Sequence, residues 1–134
     1  MSDFVLHPRL VGDTAFVADW SFSRVLLMND ARFPWLIVVP RLANATEIFD
    51  LNAQERAILI EEVARASAGL KKFSACAKIN IGALGNLVPQ LHIHIVARNP
   101  GDAAWPGPVW GHGQAQPYAP VTLEKLLREI VNAL

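Results

Sequence analysis

Apolar residues along this chain fall into two kinds of run. TAFVADW (residues 14–20), SRVLLMND (23–30) and PWLIVVPR (34–41) are short, rich in branched side chains and separated by brief links. Side chains branched at Cβ fit a pleated sheet, and links this short join antiparallel neighbours, so the three segments predict a meander. The period then changes. From residue 53 to about 73, Leu59, Val63, Ala66, Leu70 and Phe73 recur at helical spacing, with Glu55, Arg56, Glu62, Arg65 and Lys72 mostly off that stripe. Asn52 stands where a cap belongs, and Glu55 falls at the third helical position, a capping box with Asn for the usual Ser or Thr. KINIGAL (78–84) returns to strand character, Gly85-Asn86 reads as a turn, and QLHIHIVAR (90–98) as the hairpin partner. Residues 99–120 hold five prolines and four glycines and read as a long loop, which usually has a function. Over 122–134, Leu123, Leu126, Leu127, Ile130 and Leu134 share one side of a short amphipathic helix with Thr122 as its cap. These elements predict one α+β domain over residues 1–134 with a mainly antiparallel sheet.

Composition narrows the function classes. The chain has 134 residues, 52% hydrophobic and 18% charged, with a formal net charge of zero. That profile is globular, neither disordered nor membrane-spanning. No apolar run reaches the roughly 18 residues that cross a bilayer. MSDFVLHPRL has an early acid and no apolar core, so no signal peptide is read and a cytoplasmic location is expected. The one cysteine, Cys76, excludes an internal disulfide framework and a multi-cysteine zinc site, and reads as a buried small side chain. Balanced charge argues against broad nucleic-acid binding, although a single phosphate needs only a few well-placed donors.

The candidate chemistry lies in GNLVPQLHIHIVAR (85–98). On a strand, residues two apart share a face, roughly 7 Å between Cα atoms. Gln90, His92 and His94 therefore share one face while Leu91, Ile93 and Ile95 share the other. Three readings of the polar face stay open on this ground alone. The histidines are the outward side of a two-faced strand. Or they chelate zinc, which needs a third ligand that neither His7 nor His112 offers at an informative spacing. Or one neutral imidazole attacks phosphorus while neighbouring donors hold the phosphate oxygens.

Gln90-Leu-His92-Ile-His94-Ile-Val96 resembles the signature of the histidine-triad (HIT) family, His-φ-His-φ-His-φ-φ with φ apolar. The flanking GNLVPQLHIHIVAR is similar to the family's Gly-Gln-Ser/Thr-Val-x-His-φ-His-φ-His-φ-φ-x-Arg, and LLMND…PWLIVVPR to its earlier strand pair. The likeness runs over residues 14–98. It implies a HIT-like α+β fold and a hydrolase or transferase acting at the α-phosphate of a small nucleotide, such as a dinucleoside polyphosphate or nucleoside phosphoramidate. His92 matches the nucleophile, which forms a nucleotidyl-histidine, and the backbone around Gln90 would set its tautomer. His94 and Gln90 would act beside it in catalysis. Asn29 or Asp30 matches a ribose-binding position, Asn80 a polar position beside the phosphate, and Asn86 the Gln of the motif, while turn formation is the plainer reading of Asn29, Asp30 and Asn86. Arg98 would neutralise phosphate or lie on the surface. No metal site is implied and no cofactor is required; a divalent ion would enter only with a polyphosphate substrate. No membrane partner is implied, and a homodimer is expected.

The departures are Gln90 in place of the first triad histidine, Leu87 where a hydroxyl is common, and Pro34-Trp35 in place of a Gly/Thr-His pair. They suggest a divergent bacterial-type subgroup and keep a second reading open, a non-catalytic nucleotide sensor. Trp105, Trp110 and Tyr118 read mainly as packing residues of the long loop, with one stacking on ligand as the alternative, and His112 as an exposed loop histidine. Gln90→His is expected to be tolerated and to preserve or raise activity; loss of folding on circular dichroism would mark Gln90 as structural.

Overall fold

A short helix α1 (Pro8–Asp13) leads into strands β1 (Thr14–Asp19), β2 (Ser23–Met28) and β3 (Trp35–Pro40). A 3-10 turn at Ile48–Asp50 precedes the long helix α2 (Ala53–Ser74), followed by β4 (Lys78–Gly82), β5 (Ile93–Arg98) and helix α3 (Pro120–Ala133). This computed structural model describes residues 3–134; Met1 and Ser2, at the head of the stretch read for a targeting signal, lie outside them. The strands form one sheet in the order β1-β2-β3-β5-β4, every neighbouring pair antiparallel. Among the described residues no helix is long and apolar enough to cross a membrane.

The two faces of the sheet bury separate cores. On one face, Leu59, Val63, Ala66 and Leu70 of α2 pack with Val25, Leu27, Leu36, Val38, Ile93, Ile95 and Ala97, and α3 adds Ile130. Fully burying one such aliphatic side chain contributes about 1.5–3 kcal/mol, so this face is the main source of cohesion. The opposite face carries a smaller core of Leu10, Leu26, Phe33, Trp35, Ile37, Val39, Val88, Val96 and Val109, covered by α1 and the loop after β5. Strands β3 and β5 are consequently buried along their whole length.

Helix α2 has the ends its sequence requires. The Asn52 side chain accepts from the Glu55 N–H at 2.8 Å, and the Glu55 carboxylate accepts from the Asn52 N–H at 2.8 Å. Lys71 and Lys72 stand in its last turn, where the helix dipole favours cations.

Two expectations change, the hairpin and the α3 cap, while helix α1 is new and the long loop remains a loop. Helix α1 carries no period long enough to read; Pro8 presets its first turn, and His7 Nδ1 accepts from the Arg9 N–H at 3.0 Å. The expected tight hairpin is open, because the β4–β5 ladder ends at Gly82↔His94 and residues 83–92 form a loop. Gly85 turns the chain at φ +78°, Pro89 has no N–H to give, and the Leu91 N–H donates to the Ala45 carbonyl at 2.9 Å rather than to β4. Helix α3 begins at Pro120 after Ala119 with no side-chain cap, so Thr122 lies inside its first turn. Residues 99–113 follow a series of turns and bends, the first of them organised by Asp102, whose carboxylate accepts from the Asn99, Ala104 and Trp105 N–H groups, and residues 114–119 run without a turn into α3.

Ala75 closes α2 in the left-handed region at φ 55°, where an L side chain is disfavoured, and its side chain is exposed. Ala75→Gly is expected to raise stability by about 1 kcal/mol in urea unfolding, with little change in the slope of the transition.

Candidate active site

The short ladder decides how the two histidines are held. His92 lies just before β5, where the chain has left the sheet, and its Nδ1 is 2.7 Å from the Gln90 carbonyl oxygen two residues back. A carbonyl only accepts, so Nδ1 carries the proton and Nε2 keeps its lone pair. His94 sits inside β5, paired with Gly82 on one side and Ile37 on the other. Its Nδ1 is 3.1 Å from Trp35 Nε1. An indole N–H only donates, so this Nδ1 is the acceptor and neutral His94 carries its proton on Nε2. The rings stand edge to face, 4.8 Å between centroids. In their neutral forms the two adjacent imidazoles thus present opposite polarity at Nε2, a lone pair on His92 and an N–H on His94.

Both rings line a cleft of about 630 Å³. Asn29, Asp30, Arg32, Asn86, Trp110 and His112 share its wall, Arg9 and Asp13 of α1 its rim, and Leu10, Met28, Leu84, Leu87 and Val88 its apolar part. Asn29 uses its side-chain oxygen to accept from the Tyr118 N–H at 2.8 Å, and its amide NH₂ remains to donate. Asn86 is exposed and makes no side-chain hydrogen bond within the described residues. Asp30 is buried and accepts from the Arg32 guanidinium at 2.9 Å and from the Arg32 and Gln116 N–H groups. Burial would raise its pKa, but these donors outweigh that and hold it below the usual value. Of the two residues matched to a sugar contact, Asn29 has a free donor, whereas Asp30 is occupied in fixing the loop wall.

Three expected site residues do not line the cleft. The Gln90 side chain accepts from the His7 N–H at 2.8 Å and donates to the Val5 carbonyl at 2.9 Å, so it ties down the N-terminal segment. Its tie to His92 is through its backbone. Arg98 is only 1% exposed, so it is not a surface group, and it stands outside the cleft lining. Its guanidinium makes a two-pronged pair with Asp102 at 2.8 and 3.0 Å and donates to the Asn80 side-chain oxygen at 2.8 Å, between the rings of Phe33 and Trp105. Those bonds hold Asp102 well below the usual carboxylate range. Asn80 and Arg98 therefore anchor the loop after β5.

Other residues of the site carried little signal. Trp35 and Trp110 flank His94 at 5.6 and 5.7 Å between ring centroids. Trp110 packs there because Gly82 has no side chain; a Cβ would lie 2.7 Å from the indole edge. An isolated glycine inside a strand is the one sequence sign of such an approach. His112 stands on the cleft wall with its carbonyl accepting from Arg32 at 2.7 Å, although its ring is exposed as expected.

Burial, followed by the charge His92 would carry, pushes the His94 pKa from 6.5 down to about 4. Between those values the unfolded chain binds a proton that the folded chain refuses. Stability is therefore full above pH 6.5 and is lost as the pH falls toward 4, by on the order of 3 kcal/mol. Urea unfolding as a function of pH should display this acid loss in the wild type and reduce it in His94→Gln.

Comparison with known proteins gives the same frame. A family model for the HIT domain matches residues 10–101. A histidine triad protein from Sinorhizobium meliloti is 44% identical over 98% of both chains with a TM-score of 0.95. One from Bradyrhizobium japonicum is 45% identical over 97% of both chains with a TM-score of 0.93. A third, from Marinobacter aquaeolei, is 40% identical over 98% of this chain and 96% of its own, with a TM-score of 0.95. No match was found among curated proteins. With the sheet order, the paired imidazoles and the matched span all in agreement, this chain belongs to the histidine-triad family of HIT-domain proteins.

Proposed function

We propose that the protein is a nucleotide hydrolase or transferase that works through a covalent nucleotidyl-histidine on His92. The observation that carries this reading is the 2.7 Å contact between His92 Nδ1 and the Gln90 carbonyl, which leaves the lone pair on Nε2 beside the cleft. The Nε2 lone pair attacks the α-phosphorus and forms a P–N bond, while the bond to the leaving group breaks and its electron pair departs with that group. Water then attacks the same phosphorus, gives its proton to solvent, and the P–N electrons return to His92. In a transfer reaction, an alcohol or phosphate takes the place of water. His94 Nε2–H and the Asn86 amide donate to the phosphoryl oxygens as negative charge builds there. The Asn29 amide holds the sugar, and the apolar wall of Leu10, Met28, Leu84 and Val88 accepts the base. No step needs a metal; a divalent ion would accompany a polyphosphate substrate.

A second reading, reversible nucleotide sensing without turnover, is favoured by one observation: the Gln90 side chain is committed to the N-terminal segment and offers no proton to a leaving group. Rapid-quench intact mass separates the two. With dinucleoside polyphosphates and nucleoside phosphoramidates of several bases, the wild type is expected to gain the mass of one nucleotide and His92→Asn none, with the variant still folded and binding ligand. Turnover retained by His92→Asn contradicts the mechanism, and binding without adduct or product in the wild type supports the sensor.

A further inference from the structure

We infer that Trp35 is a positioning residue of this site: its indole N–H locks His94 in the Nε2–H tautomer, so that His94 serves only as a neutral hydrogen-bond donor. What His94 donates to rests on the nucleotidyl-transfer reading; how its tautomer is set rests on geometry alone. Trp35 opens β3 opposite Val96, and His94 lies opposite Ile37, so the indole reaches diagonally along the same sheet face to the imidazole. Trp35 and His94 are 6% and 7% exposed, which leaves little room for water to replace the 3.1 Å bond.

The arrangement admits one protonation state. A proton on His94 Nδ1, in the other tautomer or in the cation, would confront the indole N–H with a second donor inside a buried contact. An indole cannot turn its N–H into an acceptor, whereas a histidine or a hydroxyl at the same place could. On the other side of the ring stands Trp110, admitted by the missing side chain of Gly82, the ladder partner of His94. The remaining titratable neighbour in ring contact is His92. Elsewhere in the cleft the charged groups pair with one another, Arg9 with Asp13 and Arg32 with Asp30, and His112 is on the exposed loop. The carbonyl that orients His92 and the indole that orients His94 are both groups that do not titrate. The polarity of the imidazole pair is thereby fixed without any ionisable partner. Burial and the charge His92 would carry push the His94 pKa down, in the same direction as a bond to the neutral form would.

The test compares Trp35→Phe and, at the same position, β-(3-benzothienyl)alanine, which keeps the bicyclic shape and replaces N–H by sulfur. Nitrogen-15 NMR of the ligand-free protein reads the His94 tautomer and its titration, and steady-state kinetics read the consequence. The wild type is expected to hold the single Nε2–H form from about pH 5 to about pH 8. Both replacements should mix the two tautomers, move the titration upward, and lower kcat by about tenfold with KM less affected and a new acid limb in the rate profile. An unchanged tautomer and titration in either folded replacement would overturn the inference, and should Trp35→Phe fail to fold, the sulfur analogue decides. A tautomer shift in a protein that turns over no nucleotide would leave the role of Trp35 standing and remove the nucleotidyl-transfer reading instead.

Discussion

The hydrogen bond from His92 to the carbonyl of Gln90 depends on the chain leaving the sheet at one particular place. Were residues 90–92 paired with β4, that carbonyl would face along the ladder and His92 would be an ordinary strand residue. The ladder instead ends at Gly82↔His94, and Leu91 finds its partner in Ala45 on the segment that leads toward α2. Gln90 then holds two things at once. Its backbone orients the imidazole, and its side chain clasps the chain at residues 5 and 7, just before the helix that forms one rim of the cleft. Position 90 is therefore coupled to His92 by geometry rather than by proton exchange.

Two ion pairs, each with one buried member, hold the loop that brings Trp110 and His112 to the cleft. Arg98 with Asp102 fixes the chain where it leaves β5, and Asp30 with Arg32 joins the link between β2 and β3 to the same loop through Gln116 and His112. Removing one member of such a pair is far more disruptive than the pair is stabilising, because the other charge remains buried without a partner. The two pairs anchor the long loop, which carries Trp110 to the side of His94.

Much of the fold is legible from periodicity. The branched runs gave the meander, the helical stripe gave α2 with both of its cap residues, and the alternation in QLHIHIV put Leu91, Ile93 and Ile95 on the core side. Where a strand ends is less legible, since Gly85 and Pro89 are compatible with either a tight turn or an open loop. Site residues close in sequence to the histidines were the easiest to misplace. Arg98 looks like a phosphate ligand until Asp102, four residues on inside a loop, closes over it. Trp35 was beyond reach for a different reason: its role depends on β3 lying beside β5, a sheet order that no local pattern specifies. Its bond to His94 joins residues 59 apart in sequence.

The proposed role of the His92 Nε2 lone pair is to form a bond to phosphorus. The stereochemical course at the α-phosphorus tests this most directly, using a nucleotide made chiral there by sulfur and resolved by ³¹P NMR after turnover in ¹⁸O water. Two successive in-line displacements through His92 predict overall retention of configuration. Inversion would mean a single displacement by water, and would contradict the covalent role assigned to His92.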